Sequence, residues 1–486
     1  MTNVLIIFEG GKKDSITEAL VKAIVDANIA DQTLLVVDPA QVEDVRVDSA
    51  IICHFEQTLD VFRIKDVLEH NGTHPLAIEL IDLNMFLRLS TKDVYGCTIA
   101  ALRAIVKKLK GSLIQKTTES LVPTHGTGFS KRDLVRYMSR GLKAYRQIPI
   151  VEDSCLAKHG CASCVNACPY SAITLGDNNV VVSQTKCVEC GLCTIACPEY
   201  YIQVPTFLEQ VQEIMISSLA DSLRDKDATV LFTCRYGFRM LEGNVRDHKG
   251  KDFVPIEIPC VASFSHLALM KARQKGLKIK LVCPEKECKA REGAEQYSQI
   301  TSGMFPDFRE LSITDGLDLD NLDTTPPKIT LQNIDFEGGK REVLSKFLAS
   351  NQNMPALKQS RLPFFKAIVD QTKCNMCGSC AKACVPEALK IENINGRDTL
   401  QFEHSKCIAC MGCERVCQPN AIKIVRELDF GTIGRTVKLM EDRGKCSRCG
   451  KIMDPVTDKP EVSEEEISPE MIDCCADCRK SLLAWR

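Results

Sequence analysis

The sequence predicts a multidomain chain of mixed class. An N-terminal α/β domain with a parallel sheet precedes two small α+β cysteine-bearing domains, with an α/β domain inserted between them and a ribbon-like module at the C-terminus. Three observations predict this. Short apolar runs alternate with amphipathic helical segments over 1–110 and again over 228–290. Two cysteine blocks, 155–198 and 374–419, repeat each other, and a last set of cysteines occupies 441–486. The 486 residues give room for roughly three to four domains.

Hydrophobic residues make up 44% and charged residues 26%, as in a soluble globular chain. A formal net charge of −2 gives no general attraction to nucleic acid or to an anionic membrane. No apolar run approaches the roughly 18–20 residues that span a bilayer. The opening "MTNVLIIFEGG" has no basic segment and reads as a buried strand, not a signal peptide, so a cytoplasmic location is expected. Cysteine stands out at 27 residues. A secreted disulfide scaffold would be short and signal-bearing; in a reducing compartment, clustered cysteines are thiolate ligands for metals.

In chain order, "NVLIIF", "TLLVVD" and "SAIICHF" read as buried strands. "SITEALVKAIVDA" reads as a helix, with Ser15 as N-cap and Glu18 closing a capping box. "TIAALRAIVKKLKG" is a further helix. "FEGGKKDS" joins a strand to a helix, where backbone amides could receive a phosphate; it is not a GxGxxG, two adjacent glycines are weak evidence, and a plain turn is favoured. The 1–110 domain is then a docking platform or a nucleotide-binding unit. Residues 111–150 hold a linker with "PTHGTG" and a basic helix at 130–146 carrying Lys131, Arg132, Arg136, Arg140, Lys143 and Arg146. That helix has either a solvated face or a docking surface for an acidic partner.

The cysteine domains span 151–205 and 362–428. In the second, "CNMCGSCAKAC" and "CIACMGCERVC" are each C-x2-C-x2-C-x3-C. Such a run wraps three corners of an iron–sulfur cube, and its fourth cysteine, expected to start a helix, serves the other cube. The predicted [4Fe–4S] sets are Cys374, Cys377, Cys380 with Cys417, and Cys407, Cys410, Cys413 with Cys384. In the first domain, Cys187, Cys190 and Cys193 take Cys168. Cys161, Cys164 and Cys197 take Cys155, which is separated from Cys161 by five residues instead of two. His159 as ligand, or a three-iron cluster, are the other readings there. A tetrahedral zinc site needs only two C-x2-C knuckles, so paired four-cysteine runs favour clusters. Both blocks resemble bacterial-type two-cluster ferredoxin domains.

In the insert, Cys234, Cys260 and Cys283 each follow a short apolar run, and Cys288 follows Cys283 by five. Strand C-termini of a parallel sheet share one edge, so the four thiols are expected to converge on a metal site holding [2Fe–2S], [4Fe–4S] or zinc. "LFTCRYG", "IPC", "VCPEKEC" and the later helix "REVLSKFL" resemble the delta subunit of methyl-viologen-reducing hydrogenase, part of heterodisulfide reductase-type complexes. The resemblance implies a domain over 226–350 with a [2Fe–2S] cluster on Cys234, Cys260, Cys283 and Cys288. It also implies electron passage to a flavoprotein of the heterodisulfide reductase type.

At 441–486, Cys446, Cys449, Cys475 and Cys478 form two C-x2-C knuckles, with Cys474 as an alternate. They read as a zinc ribbon, with a rubredoxin-like iron site as rival. Cys53 and Cys97 read as core thiols.

The expectation is an electron-transfer subunit of polyferredoxin type with four [4Fe–4S] clusters, one [2Fe–2S] and one zinc, in a hetero-oligomeric complex. It would have no catalytic residues of its own. Its partners would be a hydrogenase, formate dehydrogenase or ferredoxin on one side and the flavoprotein on the other. Two other classes stand beside it: an oxidoreductase with its own flavin or nicotinamide site in 1–110, and an iron–sulfur regulator binding nucleic acid through the ribbon.

Overall fold

The computed structural model describes residues 3–9, 15–36, 39–55, 59–90, 92–113, 118–120, 144–244, 251–283, 288–304, 311–313, 319, 336–349, 364–394, 397–441, 446–451, 453, 458 and 474–483. The chain divides into two compact units. One comprises Met1–Asp153, Ala167–Thr174 and Val180–Asn333; the other comprises Ser154–Asn166, Leu175–Asn179 and Ile334–Arg486.

The first unit begins with β1 (Val4–Glu9), α1 (Ser15–Asp26), β2 (Gln32–Val36), β3 (Ser49–His54), α2 (Leu59–His70), β4 (Ile78–Asp82), α3 (Leu83–Leu89) and α4 (Val94–Gly111). The strands lie parallel in the order β2-β1-β3-β4. Every residue of β3 is buried, which explains its unbroken apolar run: a central parallel strand is covered on both faces. On one face Leu5, Ile7, Ala50 and Ile52 pack against Val61, Ile64 and Leu68 of α2. Each such Leu, Ile or Val withdrawn from water stabilises the unit by roughly 1.5–3 kcal/mol. Ser15 is the first residue of α1 and so does not precede it as a cap; the residue before it, and the glycines of "FEGGKKDS", lie outside the described residues. The thiol of Cys53 is fully buried, and burial pushes its pKa far up, as expected of a core thiol.

The inserted segment builds a second parallel sheet. Ala228–Thr233 lies between Asp252–Glu257 and Lys278–Cys283, with Leu311–Ile313 beyond the last. The two sheets share the first unit because α4 bridges them. Asp93 caps α4, its carboxylate accepting from the Gly96 amide at 2.9 Å. Lys108, 7% exposed, donates to Glu79 on β4 (2.7 Å) and to the Glu257 carbonyl (3.3 Å). Burial opposes its charge, but Glu79 and Glu257 outweigh that and hold the ammonium above the usual lysine range. At the start of α4, Asp252 accepts from the Lys92 and Asp93 amides (2.9 and 3.2 Å). These contacts join residues some 150 positions apart, which no local pattern reveals.

Two expectations change. Ala144–Arg146 is a strand paired antiparallel with Thr118–Ser120, so the basic helix does not reach Arg146; residues 121–143 lie outside the described residues. The helix Lys340–Ala349, which contains "REVLSKFL", belongs to the second unit and not to the insert. Arg341, 3% exposed, donates to the His404 carbonyl (3.3 Å) and lies over the Phe364 ring at 5.3 Å.

The second unit is built around the second cysteine block. Lys366–Val369 pairs antiparallel with Ile422–Val425, and Leu389–Ile394, Arg397–Glu403 and Thr436–Glu441 form a three-stranded antiparallel sheet. The first block is bracketed in the same way by Ile150–Val151 with Ile202–Gln203. Among the described residues no helix is long and apolar enough to cross a membrane.

Candidate iron–sulfur and metal centres

Cys374, Cys377 and Cys380 line one pocket together with Cys417 from the other run, among apolar side chains that include Val369, Met376, Ile391 and Leu400. The companion set is equally interleaved. Burial, then the nearby thiols of Cys407, Cys410 and Cys384, pushes Cys413 up to about 12. Burial likewise takes Cys407 up to about 11, with Cys384 and Cys410 adding to it. Thiols so crowded and buried are costly to ionise alone. The positive charge of bound iron would let them all be thiolates, so the donor set fits a cluster.

The backbone repeats around each run. The residue before the second cysteine is left-handed in all four: Gly160 (φ 91°), Glu189 (φ 61°), Met376 (φ 55°) and Ala409 (φ 52°). So is the residue three places after the fourth cysteine: Ser171, Tyr200, Glu387 and Asn420. Left-handed residues turn successive amides inward, making the concave nest that binds anionic centres. For a residue with a Cβ the conformation costs roughly 1–2 kcal/mol.

The fourth cysteine does not start a helix as expected; it closes one. Cys197 follows Leu192–Ala196 and Cys417 follows Gly412–Val416, both with extended backbone. Pro198 explains the first case, since a residue before proline is driven out of the helical region. Each fourth sulfur accepts an amide hydrogen from beyond the turn. Ala172 donates to Cys168 (3.4 Å), Tyr201 to Cys197 (3.2 Å), Leu389 to Cys384 (3.3 Å) and Ala421 to Cys417 (3.2 Å). Hydrogen bonds of this kind help to set a cluster's potential.

In the first block, burial pushes Cys190 up to about 12, with the thiols of Cys187 and Cys168 close enough to contribute, so the cross-run placement of Cys168 recurs. Cys161 occupies the second-cysteine position: its thiol faces Ser163 (3.7 Å) as Cys377 faces Ser379 (3.5 Å). Cys155 lies within electrostatic reach of Cys161. The extra residues form a 3-10 turn, Leu156–His159, ending at Gly160. A Cβ on Gly160 would meet the Cys410 carbonyl and the Arg415 guanidinium at 3.0 Å each. Gly160→Ala is therefore expected to destabilise the protein by about 1–3 kcal/mol through backbone strain. The measurement is the denaturant midpoint; an unchanged midpoint would show that the loop is not held there.

Arg146 clamps the Cys187 loop from behind. It is 4% exposed and donates to Glu189 (2.6 Å), to the Cys187 carbonyl (2.6 Å) and to the Gln184 carbonyl. The sequence placed it on a basic helix with either a solvated face or a docking surface; its role depends on a strand that charge patterning does not reveal.

Three of the four insert cysteines, Cys234, Cys260 and Cys283, stand at one sheet edge. Cys234 follows Ala228–Thr233, Cys260 comes three residues after Asp252–Glu257, and Cys283 ends Lys278–Cys283. Burial pushes the Cys260 thiol well above its ordinary value, with Cys190, Cys234 and Cys283 near enough to add to it. Cys288 precedes the helix Arg291–Met304 and accepts the Ala290 amide at 3.4 Å. Arg291 reaches back to the Cys283 carbonyl at 3.5 Å.

The C-terminal set is of another kind. Among the described residues, Cys446, Cys449, Cys475 and Cys478 are the one group of three or more metal-binding side chains whose ligand atoms lie within 4.8 Å of one another. Cys449 and Cys475 sulfurs are 3.7 Å apart. Four thiolates about 2.3 Å from one ion stand about 3.8 Å apart, so this set suits a single tetrahedral metal. Cys474 points elsewhere, its sulfur 3.5 Å from the Ser447 hydroxyl.

Comparison with known proteins agrees on the ferredoxin character. Residues 148–213 match the 4Fe-4S dicluster domain family. The chain is similar to a candidate electron transport protein, YsaA, of Escherichia coli (strain K12), with 38% identity over 11% of the chain and 37% of the relative. It is 43% identical to the polyferredoxin-like subunit of aliphatic sulfonate oxidoreductase of Pyrococcus furiosus, over 9% of the chain and 25% of the relative. It is 42% identical to the uncharacterized ferredoxin MJ0265 of Methanocaldococcus jannaschii, over 11% and 30%. The chain thus spans between 25% and 37% of the length of these curated relatives. The matches support iron–sulfur electron transfer and 4Fe-4S binding; the hydrogenase delta-subunit family is not among what they support.

Proposed function

We propose that this polyferredoxin-like iron–sulfur protein relays electrons between other redox proteins in a complex. The observation that carries the reading is the cross-run placement of Cys417 with Cys374, Cys377 and Cys380 in one pocket. Clusters interleaved in this way stand close together, which suits electron passage and serves no purpose in a zinc site. Four [4Fe–4S] clusters would sit on the sets named above, the one on Cys155, Cys161, Cys164 and Cys197 included. Cys234, Cys260, Cys283 and Cys288 would hold a [2Fe–2S] cluster, and the C-terminal four a zinc ion. When bound, the clusters supply one-electron storage. The chain supplies the thiolates, the inward amides and the apolar walls that exclude water. The electron donor would be a hydrogenase, formate dehydrogenase or ferredoxin, and the acceptor a flavoprotein of the heterodisulfide reductase type.

Metal analysis with low-temperature EPR of the reduced protein tests this. About 18 iron atoms and one zinc per chain are expected. Around 16 iron with two zinc would remove the insert cluster and leave the relay, whereas an iron content near zero would end the reading altogether.

A further inference from the structure

The first ferredoxin block and the insert meet at a close contact. A Cβ placed on Gly293, in the helix that follows Cys288, would stand 3.0 Å from the Cys190 sulfur and 3.1 Å from its Cβ. No other residue type lets that helix approach so closely. The Gly293 amide donates to the Tyr170 hydroxyl at 3.1 Å, which fixes the ring beside the same cysteine.

The loop after Cys260 is seated as firmly. A Cβ on Gly191, directly after Cys190, would overlap Ser263, whose hydroxyl donates to the Cys260 carbonyl at 2.6 Å. Behind this, a buried polar network ties the block to the loop. Ser265 donates to Glu209 (2.7 Å) and lies 2.6 Å from the Tyr200 hydroxyl, while Gln212 donates to the Ser263 carbonyl (3.2 Å) and accepts from the Ser265 amide (2.7 Å). Side chains and backbone of both segments share these buried hydrogen bonds, which favours one geometry.

We propose that the insert centre exchanges electrons within the chain with the cluster on Cys187, Cys190, Cys193 and Cys168, across the Cys190–Gly293 contact, and that Gly293 and Tyr170 are positioning residues of this junction. The proposal rests on the reading of Cys234, Cys260, Cys283 and Cys288 as cluster ligands. In each transfer one centre is oxidised by one electron and the other reduced by one. The insert is then wired to the first block specifically, and does not act as a separate electron store.

EPR on the fully reduced protein tests it. With both centres paramagnetic, the insert signal is expected to be split and fast-relaxing. In Cys193→Ala, which removes the first-block cluster, the splitting is lost and the signal saturates at lower microwave power. Cys380→Ala, which removes a second-block cluster, leaves it unchanged. Gly293→Ala and Tyr170→Phe retain about 18 iron but weaken the splitting. An insert signal identical in wild type and Cys193→Ala, with about 18 iron in the wild type and about 14 in the variant, would overturn the junction while leaving the cluster reading intact. About 16 iron in the wild type would overturn both, which separates the two failures. Full splitting in Gly293→Ala and Tyr170→Phe would overturn the positioning role.

Discussion

A chain carrying Cys417→Ala is expected to lose the cluster begun by Cys374, Cys377 and Cys380, and to keep the one begun by its own run. Cys417 shares a pocket with the first three, while Cys384 lies among Cys407, Cys410 and Cys413. Iron should fall by about four atoms per chain. Cys384→Ala should remove the other four, so the two variants exchange the clusters that sequence proximity would assign. Stability should fall too. Cys374, Cys380 and Cys417 of one set and Cys384, Cys407 and Cys413 of the other pack into one core with Phe365, Ala367, Leu389, Leu400, Phe402 and Ile422. The left-handed Met376, Ala409 and Met411 are strained without an anionic centre to bind their amides. Because metal-site formation is coupled to folding, a loss on the order of several kcal/mol is expected in either variant. Iron analysis and the EPR of the surviving cluster read the outcome. If Cys417→Ala instead abolished the cluster on Cys407, Cys410 and Cys413, the interleaved arrangement would be wrong.

The candidate ligand-bearing parts of this chain were legible because cysteine spacing and strand ends are local features. The C-x2-C-x2-C-x3-C spacing records how a loop wraps a cube, and the apolar run before Cys234, Cys260 and Cys283 records a strand that ends at a sheet edge. The positioning parts left almost no trace. Arg146 sits in a charge-rich stretch, and only pairing with Thr118–Ser120 turns it inward to the Cys187 loop. Gly293 had one cue, a glycine inside a helical pattern, whose partner Cys190 lies a hundred residues away. The placement of Lys340–Ala349 failed for the same reason, because its core partners come from the second block. Non-local packing decided each of these cases, and periodicity does not encode non-local packing.

At the C-terminus, Cys475→Ser is expected to eject the metal and unfold the module, while Cys474→Ser leaves both in place. The adjacent cysteines are equivalent by spacing to within one residue, but their surroundings differ. Cys475 brings its sulfur to 3.7 Å from Cys449, within the set that also includes Cys446 and Cys478. Cys474 turns its sulfur to Ser447, and its carbonyl accepts from Arg479 at 2.9 Å, so it anchors the helix Ala476–Leu483 without reaching the ligand set. The described apolar core here consists of little beyond Cys446, Met453, Cys474 and Cys475, with Cys478 and Leu482 against it. These described side chains alone do not repay the entropy of ordering the module, and a bound metal would supply the difference. Structural zinc contributes roughly 10–16 kcal/mol of apparent binding energy in small thiolate sites, far more than this core. Metal analysis and proteolysis of the C-terminal segment would read both variants, and the same outcome is expected for zinc or iron because either would be held by the four thiolates. Acid should mimic Cys475→Ser, since protons compete with the metal for sulfur. A Cys474→Ser chain that lost its metal as readily as Cys475→Ser would show that the ligand set is chosen by spacing and not by the turn geometry found here.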